Sequence, residues 1–377
     1  MMDSLICEYK KCTGCAACFS ICPKNCITMH ADDEGFLRPK IDDSMCINCN
    51  RCKKVCPINK KSMEDNKFPT AFAVKHKNDS VREKSSSGGV FTAVSEIILK
   101  SSGVVIGAGF DENFMVKHKI CNNVESLDEL MRSKYVQSRI GTVLQDTKKY
   151  LDKGINVLFV GTPCQVDGLL SYLGKTYTNL YTIDFICHGV PSPMAWKKYM
   201  EFRRKSANAE ITDISFRSKE LGWKNYSMKI DFSNGNKYSS TVSEDMYLRS
   251  FIMDMDLRPS CYDCHFKTIH HLSDFTVADY WGADKQIPEW NDNKGISLVL
   301  AHSEKAINLL AECNSVDVLE VPFERAIEGN PSLTTSVKQP NLRKKFMREI
   351  QIKSFDKLHD KYCGNNILAK VRRKMPR

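Results

Sequence analysis

The sequence predicts a mixed protein, with a small α+β module at the N-terminus and a larger α/β domain behind it. Three observations carry that expectation. Ten of the seventeen cysteines fall within the first 56 residues, at tight spacings. Beyond residue 68, strand-like and helix-like apolar segments alternate, as in a sheet covered by helices. Around Asn234-Gly235, two extended runs flank a two-residue hairpin signal. At 377 residues, with 42% hydrophobic content and 13 prolines, the chain suits a small packed unit joined to a larger one.

The first element rests on a doubled cysteine run. Cys12-x-x-Cys15-x-x-Cys18-x-x-x-Cys22-Pro23 recurs 34 positions later as Cys46-x-x-Cys49-x-x-Cys52-x-x-x-Cys56-Pro57. Three thiolates two residues apart can wrap a tight loop around three corners of one cubane. The fourth, after a longer gap and before proline, reaches the other cluster. On that crossed pattern Cys12, Cys15, Cys18 and Cys56 hold one 4Fe-4S cluster, and Cys46, Cys49, Cys52 and Cys22 hold the second. Zinc would take two pairs of ligands and leave paired triplets unexplained. A secreted disulfide scaffold would be short and signal-bearing, and this chain is neither. Residues 1–62 are therefore expected to form a bacterial-type dicluster ferredoxin fold. Gly14 suits close backbone approach to a cluster. Asp32-Asp33-Glu34-Gly35-Phe36 reads as a turn before an extended segment. Cys7 and Cys26, outside the pattern, read as ordinary buried cysteines.

A polar stretch, KKSMEDNKFP, marks the boundary. The second domain is expected over residues 68–330. Ala71–Lys75, Val104–Phe110, Val157–Val160 and Tyr181–Ile186 read as strands. Gly89–Lys100, Arg139–Leu151, Val166–Leu173 and Met194–Arg204 read as helices. Met228–Phe232 and Lys237–Val242 form the hairpin, followed by strands at Phe275–Ala278 and Ser297–Leu300 and a helix over Glu304–Ala311.

Four cysteines in this domain occupy suggestive places. Cys164 and Cys187 follow predicted strands, where ligand sites gather in α/β sheets. Cys261 and Cys264 form a Cys-x-x-Cys in a polar loop. Together the four could complete a third cluster site. Cys164 could instead be a nucleophile at a helix N-terminus with His188 as its base. Cys261 and Cys264 could equally be a redox dithiol or half of a zinc site. Cys121, Cys313 and Cys363 read as structural. Val104-Val-Ile-Gly-Ala-Gly109 lacks the third glycine and the helix of a dinucleotide fingerprint. Ser85-Ser-Ser-Gly-Gly89, before a helix, reads equally as a phosphate cradle or a serine cap.

Net charge is +10, and the stretch from Lys338 to Arg377 carries thirteen Lys/Arg against three Asp/Glu. Residues 331–377 are thus expected to form a basic, helical extension, with apolar residues at Leu342, Phe346 and Ile350. It reads as a solvated amphipathic helix, with an acidic partner or an anionic surface as the alternative. There is no basic groove interleaved with aromatics, so nucleic acid is not expected. The apolar runs at Ile155–Val160 and Ile296–Ala301 are too short to span a bilayer. The first residues lack a signal-peptide core, so a cytoplasmic protein is expected.

Six motifs occur together in this chain: Ser86-Ser-Gly-Gly89, Ser133-Lys-Tyr-Val-Gln-Ser138, Gly161-Thr-Pro-Cys-Gln165, Asp184-Phe-Ile-Cys-His-Gly189, Cys261-x-x-Cys264 and Asp274-Phe-Thr-Val-Ala-Asp-Tyr-Trp-Gly282. In this set the chain resembles the coenzyme F-420 hydrogenase/dehydrogenase beta-subunit family, in which a fused ferredoxin module is a common variation. The resemblance implies FAD beside a 4Fe-4S cluster in a mixed α/β flavin-binding domain. It makes Cys164, Cys187, Cys261 and Cys264 ligands of a third cluster. It makes Ser86, Ser87, Gly88, Gly89, Lys134, Tyr135, Gln137 and Ser138 candidates for holding the flavin.

The function expected is an iron–sulfur flavoprotein oxidoreductase, passing electrons between clusters and FAD to or from a two-electron acceptor, F-420 or another small molecule. Its partner would be a redox donor or acceptor protein. The alternative is a ferredoxin-like adaptor that feeds a partner enzyme and has no substrate site of its own. The sequence names no catalytic proton donor; His188, Tyr280 and Lys134 are candidates that read as readily as structural residues.

Overall fold

The computed structural model describes residues 6–60, 68–365 and 369. The polar linker read at 61–67 and the end of the basic tail lie outside the described residues.

In the N-terminal module, β1 (Ile27–Ala31) and β2 (Leu37–Ile41) pair antiparallel. The expected turn joins them. Asp32 Oδ1 accepts hydrogen bonds from the backbone amides of Glu34 and Phe36, which closes the loop locally. Short helices at Ala17–Ser20 and Arg51–Val55 carry the third cysteine of each triplet, Cys18 and Cys52. The 34-residue repeat extends into the backbone. Gly14 and Ala16 have φ of 72° and 62°, and their counterparts Asn48 and Asn50 have φ of 52° and 57°. Each cysteine loop therefore turns through two left-handed residues before its helix, where glycine and asparagine fit and alanine is strained.

The larger domain is built on an eight-stranded mixed sheet. Its strands are β3 (Thr70–His76), β4 (Val104–Phe110), β5 (Val116–Cys121), β6 (Val157–Val160), β7 (Leu180–Phe185), β11 (Phe275–Asp279), β12 (Ser297–Ala301) and β13 (Val316–Val321). Between β7 and β11 the chain forms a separate antiparallel sheet of β8 (Ile211–Ser218), β9 (Ser227–Phe232) and β10 (Lys237–Thr241). The large sheet runs β13-β3-β12-β11-β7-β6-β4-β5. Neighbours among β4, β6, β7 and β11 are parallel, and antiparallel strands flank this block. Around β4 and β6 the parallel block is apolar on both faces, as suits buried parallel strands. Val105, Leu158 and Ile183 pack under the helices Val90–Lys100 and Glu304–Glu312. Val104, Ile106, Val157 and Phe159 face the other way, into one core shared with the helices Val143–Asp152 and Pro163–Leu173 and the N-terminal module. The ferredoxin-type module is thus a layer of the main fold.

The small sheet packs against the helices Pro193–Ala207 and Met246–Ile252 and the C-terminal helices Arg343–Glu349 and Phe355–Tyr362. The helix expected near Phe346 and Ile350 forms, but it is anchored in the core: both side chains are 0% exposed. Arg343 reaches back across the chain. Its guanidinium grips both oxygens of Glu34 in the β1–β2 turn, at 2.7 and 2.5 Å, and the carbonyl of Leu257.

Candidate metal centres and cofactor site

Cys12, Cys15, Cys18 and Cys56 line one cavity in the N-terminal module. Cys22, Cys46, Cys49 and Cys52 line a second. Each cavity takes three cysteines from its own run and one from the other, so the fold brings together the groups that the spacing suggested. Cys7 stands on the first cavity and Cys26 on the second, 3.4 Å from Cys22 Sγ. Both are closer to the ligand sets than ordinary core cysteines would be. Among the described residues, no three His, Cys, Asp or Glu side chains converge closely enough for a single ion. The sulfurs stand around cavity walls instead, as they do when each binds a separate iron of a cubane.

A third cavity lies in the large domain, and Cys164, Cys187, Cys261 and Cys264 all line it. The sheet explains the convergence. Val160 and Phe185 end the adjacent parallel strands β6 and β7, so Cys164 and Cys187 leave the same sheet edge at strand C-termini. Cys164 is set at the start of the helix Pro163–Leu173 by a capping box: the Thr162 side chain takes the Gln165 amide, and Gln165 Oε1 accepts from the Thr162 amide at 3.0 Å. A 3₁₀ turn at Pro259–Asp263 carries Cys261, whose Sγ accepts from the Val190 amide at 3.4 Å. The Cys264 amide is held by Ser336 Oγ at 3.0 Å. Lys267, also on this cavity, is fixed by the carbonyls of Cys187 and Ser332.

Burial pushes the thiols of this cavity up, Cys187 to about 12 and Cys261 to about 11, and Cys164 is raised as well. A helix-start nucleophile needs the opposite shift. His188 shares the cavity, but its Nε2 lies 2.7 Å from Asp254 and its ring meets Phe251 edge-on. Tyr280 is buried and donates to Gln286 Oε1 at 2.9 Å. A further buried group borders the cavity; Asp184 and Thr276 lie in two of the quoted motifs, but no motif pointed to His271. His271 Nδ1 pairs with Asp184 at 2.8 Å, Thr276 donates to Asp184 at 2.6 Å, and His271 Nε2 has no partner.

The first and third cavities are neighbours, and Thr13 lines both. Gly168, in the helix that carries Cys164, lies against Cys15; a Cβ there would stand 2.8 Å from the Cys15 Cβ. Arg258 forms the lock. It is 0% exposed, and donates to the Cys12 carbonyl at 2.7 Å, the Leu37 carbonyl at 3.0 Å and Gln137 Oε1 at 2.7 Å. Gln137 donates in turn to the Thr13 carbonyl at 3.0 Å. Gly14 is confined by this pair: a Cβ would meet Arg258 Nη1 and Gln137 Nε2, each at 2.9 Å.

The residues singled out for a flavin divide into two groups. Ser86 Oγ accepts from the Ser133 amide at 2.8 Å, so the two motif stretches do meet. Ser87 donates to the Ile296 carbonyl, and the Gly88 amide donates to Ser297 Oγ, both at 2.9 Å. These two groups bind the turn to β12 and its approach. Gly89, at φ 92°, begins the helix Val90–Lys100, with no side-chain cap. Gln137 is committed to the Arg258 lock, and Ser138 to His118 at 2.7 Å. Lys134 and Tyr135 remain partly accessible. Tyr135 stacks on Phe251 at 4.7 Å. Beside it stands a cluster that the sequence did not reveal: Asp279, which pairs with Arg217 and accepts from Trp223 Nε1 at 2.8 Å. Nε and Nη2 of Arg217 are buried without a well-formed hydrogen bond. The motif ending Asp279-Tyr-Trp-Gly282 was the available signal, because Trp281 stacks on Trp223 with ring centroids 5.2 Å apart.

Residues 154–324 match the model of the C-terminal region of the coenzyme F420 hydrogenase/dehydrogenase beta subunit. Residues 11–60 match the 4Fe-4S dicluster domain. The N-terminal module is similar to an uncharacterized ferredoxin of Methanocaldococcus jannaschii, 34% identical over 59 residues, which are 16% of this chain and 75% of that protein. A chain in the structure of the F420-reducing NiFe hydrogenase complex from Methanosarcina barkeri is similar at TM-score 0.49 and 15% identity, over 77% of this chain and 93% of that one. No helix among the described residues is long and apolar enough to cross a membrane.

Proposed function

We propose, from the premise that this chain belongs to the coenzyme F-420 hydrogenase/dehydrogenase beta-subunit family and carries an N-terminal 4Fe-4S dicluster domain, that it is a flavin-dependent iron–sulfur oxidoreductase with three clusters. The observation that carries the reading is the third cavity. Cysteines from three separate segments meet on it, next to the first ferredoxin site and sharing Thr13 with it. Clusters supply single electrons, and FAD would exchange them for the pair that a small-molecule acceptor such as F-420 takes.

The chain's own residues define the rest of the site. Arg258 and Gln137 fix the loop between the first and third cavities. Ser86, Lys134 and Tyr135, with Arg217 and Asp279, form the group suited to an anionic cofactor, because two buried nitrogens of Arg217 have no well-formed hydrogen bond. The reading is tested by anaerobic purification with iron, sulfide and flavin quantified together. About twelve irons and one FAD per chain are expected. About eight irons without flavin would overturn it in favour of the adaptor reading.

Lys134 supplies a pH signature. Burial, with Arg132 and Lys119 nearby, lowers its pKa to about 7, and its Nζ donates to the carbonyls of Met131 and Arg132. Below that pH the amine is charged and attracts an anion; above it the attraction is lost. FAD retention, measured by equilibrium dialysis, is expected to weaken as pH rises from 6 to 9. Lys134→Met should flatten the profile. An unchanged slope in the variant would remove Lys134 from the site.

A further inference from the structure

The three cysteine sites differ in their access to solvent. Cys15, Cys18 and Cys56 of the first site are buried, whereas Cys49 of the second is exposed. Two large apolar side chains stand beside it in the same loop, Met45 at 52% and Ile47 at 57% exposed. Soluble proteins expose single apolar residues freely, but a pair at the mouth of a redox site is a contact surface in the making. The charges around it are mostly of one sign. Lys24 and Arg51 line the cavity itself, and Lys53 and Lys54 are exposed on the same short helix, Arg51–Val55. Asp42 and Asp43 are the opposing carboxylates in this loop, and Asp42 is occupied by the amide and hydroxyl of Ser44. A cluster with four thiolates adds negative charge of its own, which the cations beside the cavity offset.

We propose that the rim of the second cysteine cavity is the docking surface for an acidic one-electron carrier protein, and that electrons cross the molecular surface there. Three features combine at this rim. The site is the most exposed of the three, and it is separate from the third cavity: the first and third share Thr13, whereas the second shares no lining residue with the third. A cluster held by the four cysteines would occupy the concavity, so what remains for a partner is an apolar-tipped surface suited to a protein and not to a small ligand. Cations ringing a small apolar centre give the fast, weak, salt-sensitive association typical of electron-transfer encounters.

The test uses full-length, anaerobically purified protein and a reduced, acidic plant-type 2Fe–2S ferredoxin as the probe. Stopped-flow absorbance follows reduction of the clusters. The second-order rate constant is expected to fall with added salt, as it does for steered association. Lys53→Glu/Lys54→Glu should slow it about tenfold at low salt, and the difference should close at high salt. Reduction of the same variant by dithionite, and its iron content, should be unchanged. Lys205→Glu/Lys237→Glu, with the same change in net charge at exposed positions of the large domain, should leave the ferredoxin rate near wild type. Equal ferredoxin rates in the Lys53/Lys54 variant and the wild type would overturn the proposal, as would equal slowing by the control pair. Loss of iron from the wild-type module would instead strike the cluster assignment beneath it, so the two failures are separable.

Discussion

Cys261→Ala is expected to lower the iron content by about four per chain while both N-terminal clusters persist. The selectivity follows from how the cores are divided. Six of the eight dicluster cysteines, all but Cys12 and Cys49, lie in or against an apolar core shared with the helices Val143–Asp152 and Pro163–Leu173. Cys261 sits in the separate 3₁₀ turn Pro259–Asp263, its sulfur already aimed by the Val190 amide. Removing one thiol deletes a corner ligand and leaves the ferredoxin-type loops untouched. Cys187→Ala, just past the end of β7, should give the same loss, because both sulfurs line one cavity. Iron and sulfide assays with electron paramagnetic resonance of the reduced protein read the outcome. Full iron content in both variants would eliminate the third site, and with it the proposed link between the ferredoxin module and a flavin.

Arg258→Met should produce the largest structural effect. The side chain is fully buried, and its loss strands the carbonyls of Cys12 and Leu37 and the amide oxygen of Gln137. Three unpaired buried acceptors place the cost on the order of 3 kcal/mol or more. A positive charge 3.6 Å from Cys12 Sγ is lost as well. The first cluster should therefore become harder to reduce, since its reduced form carries the extra negative charge, while the second keeps its potential. Arg258→Lys should restore part of the potential but little of the stability, because an ammonium cannot span the same forked set of acceptors. Urea unfolding and redox titration together separate the two contributions. A potential unchanged in Arg258→Met would show that the guanidinium only holds the loop.

The local signals in the sequence were strong, and the missing ones were distant or weakly apolar. The spacing of the cysteine runs contained the crossed grouping because the loop geometry is local and repeated. The apolar strands β3, β4, β6, β7, β11 and β12 were legible for the same reason. β5, β8 and β13 were not read. Lys117 and Lys119 interrupt β5, and Asp317 and Glu320 interrupt β13, at the two edges of the large sheet, where one side of the strand has no neighbour to bury it. The helix read from Val166 starts at Pro163. Thr162, Pro163 and Gln165 form a capping signature that could have set the boundary. The helix read from Arg139 starts at Val143, after Gly141 turns through φ 58°. Arg258 could not be inferred at all: its partners at Cys12 and Gln137 are 246 and 121 residues away in sequence. The flavin candidates are a different case, because Lys134 and Tyr135 keep partial access to solvent while others of the set do not. A motif marks residues that matter, but Gln137 and Ser138 are bound into neighbouring structure.

The clamp between Arg343 and Glu34 has a consequence for how the molecule is made. The two residues are 309 positions apart. At a synthesis rate of about 5–20 residues per second, the turn at Glu34 leaves the ribosome roughly 15–60 s before its partner exists. The cysteine loops are complete by residue 56, so during that interval they stand without the strap that finally holds their turn to the main body. The nascent chain therefore has a window in which the iron-binding loops are accessible to whatever delivers iron and sulfide. At the buried first site that window narrows when the last helices fold and Arg343 reaches home.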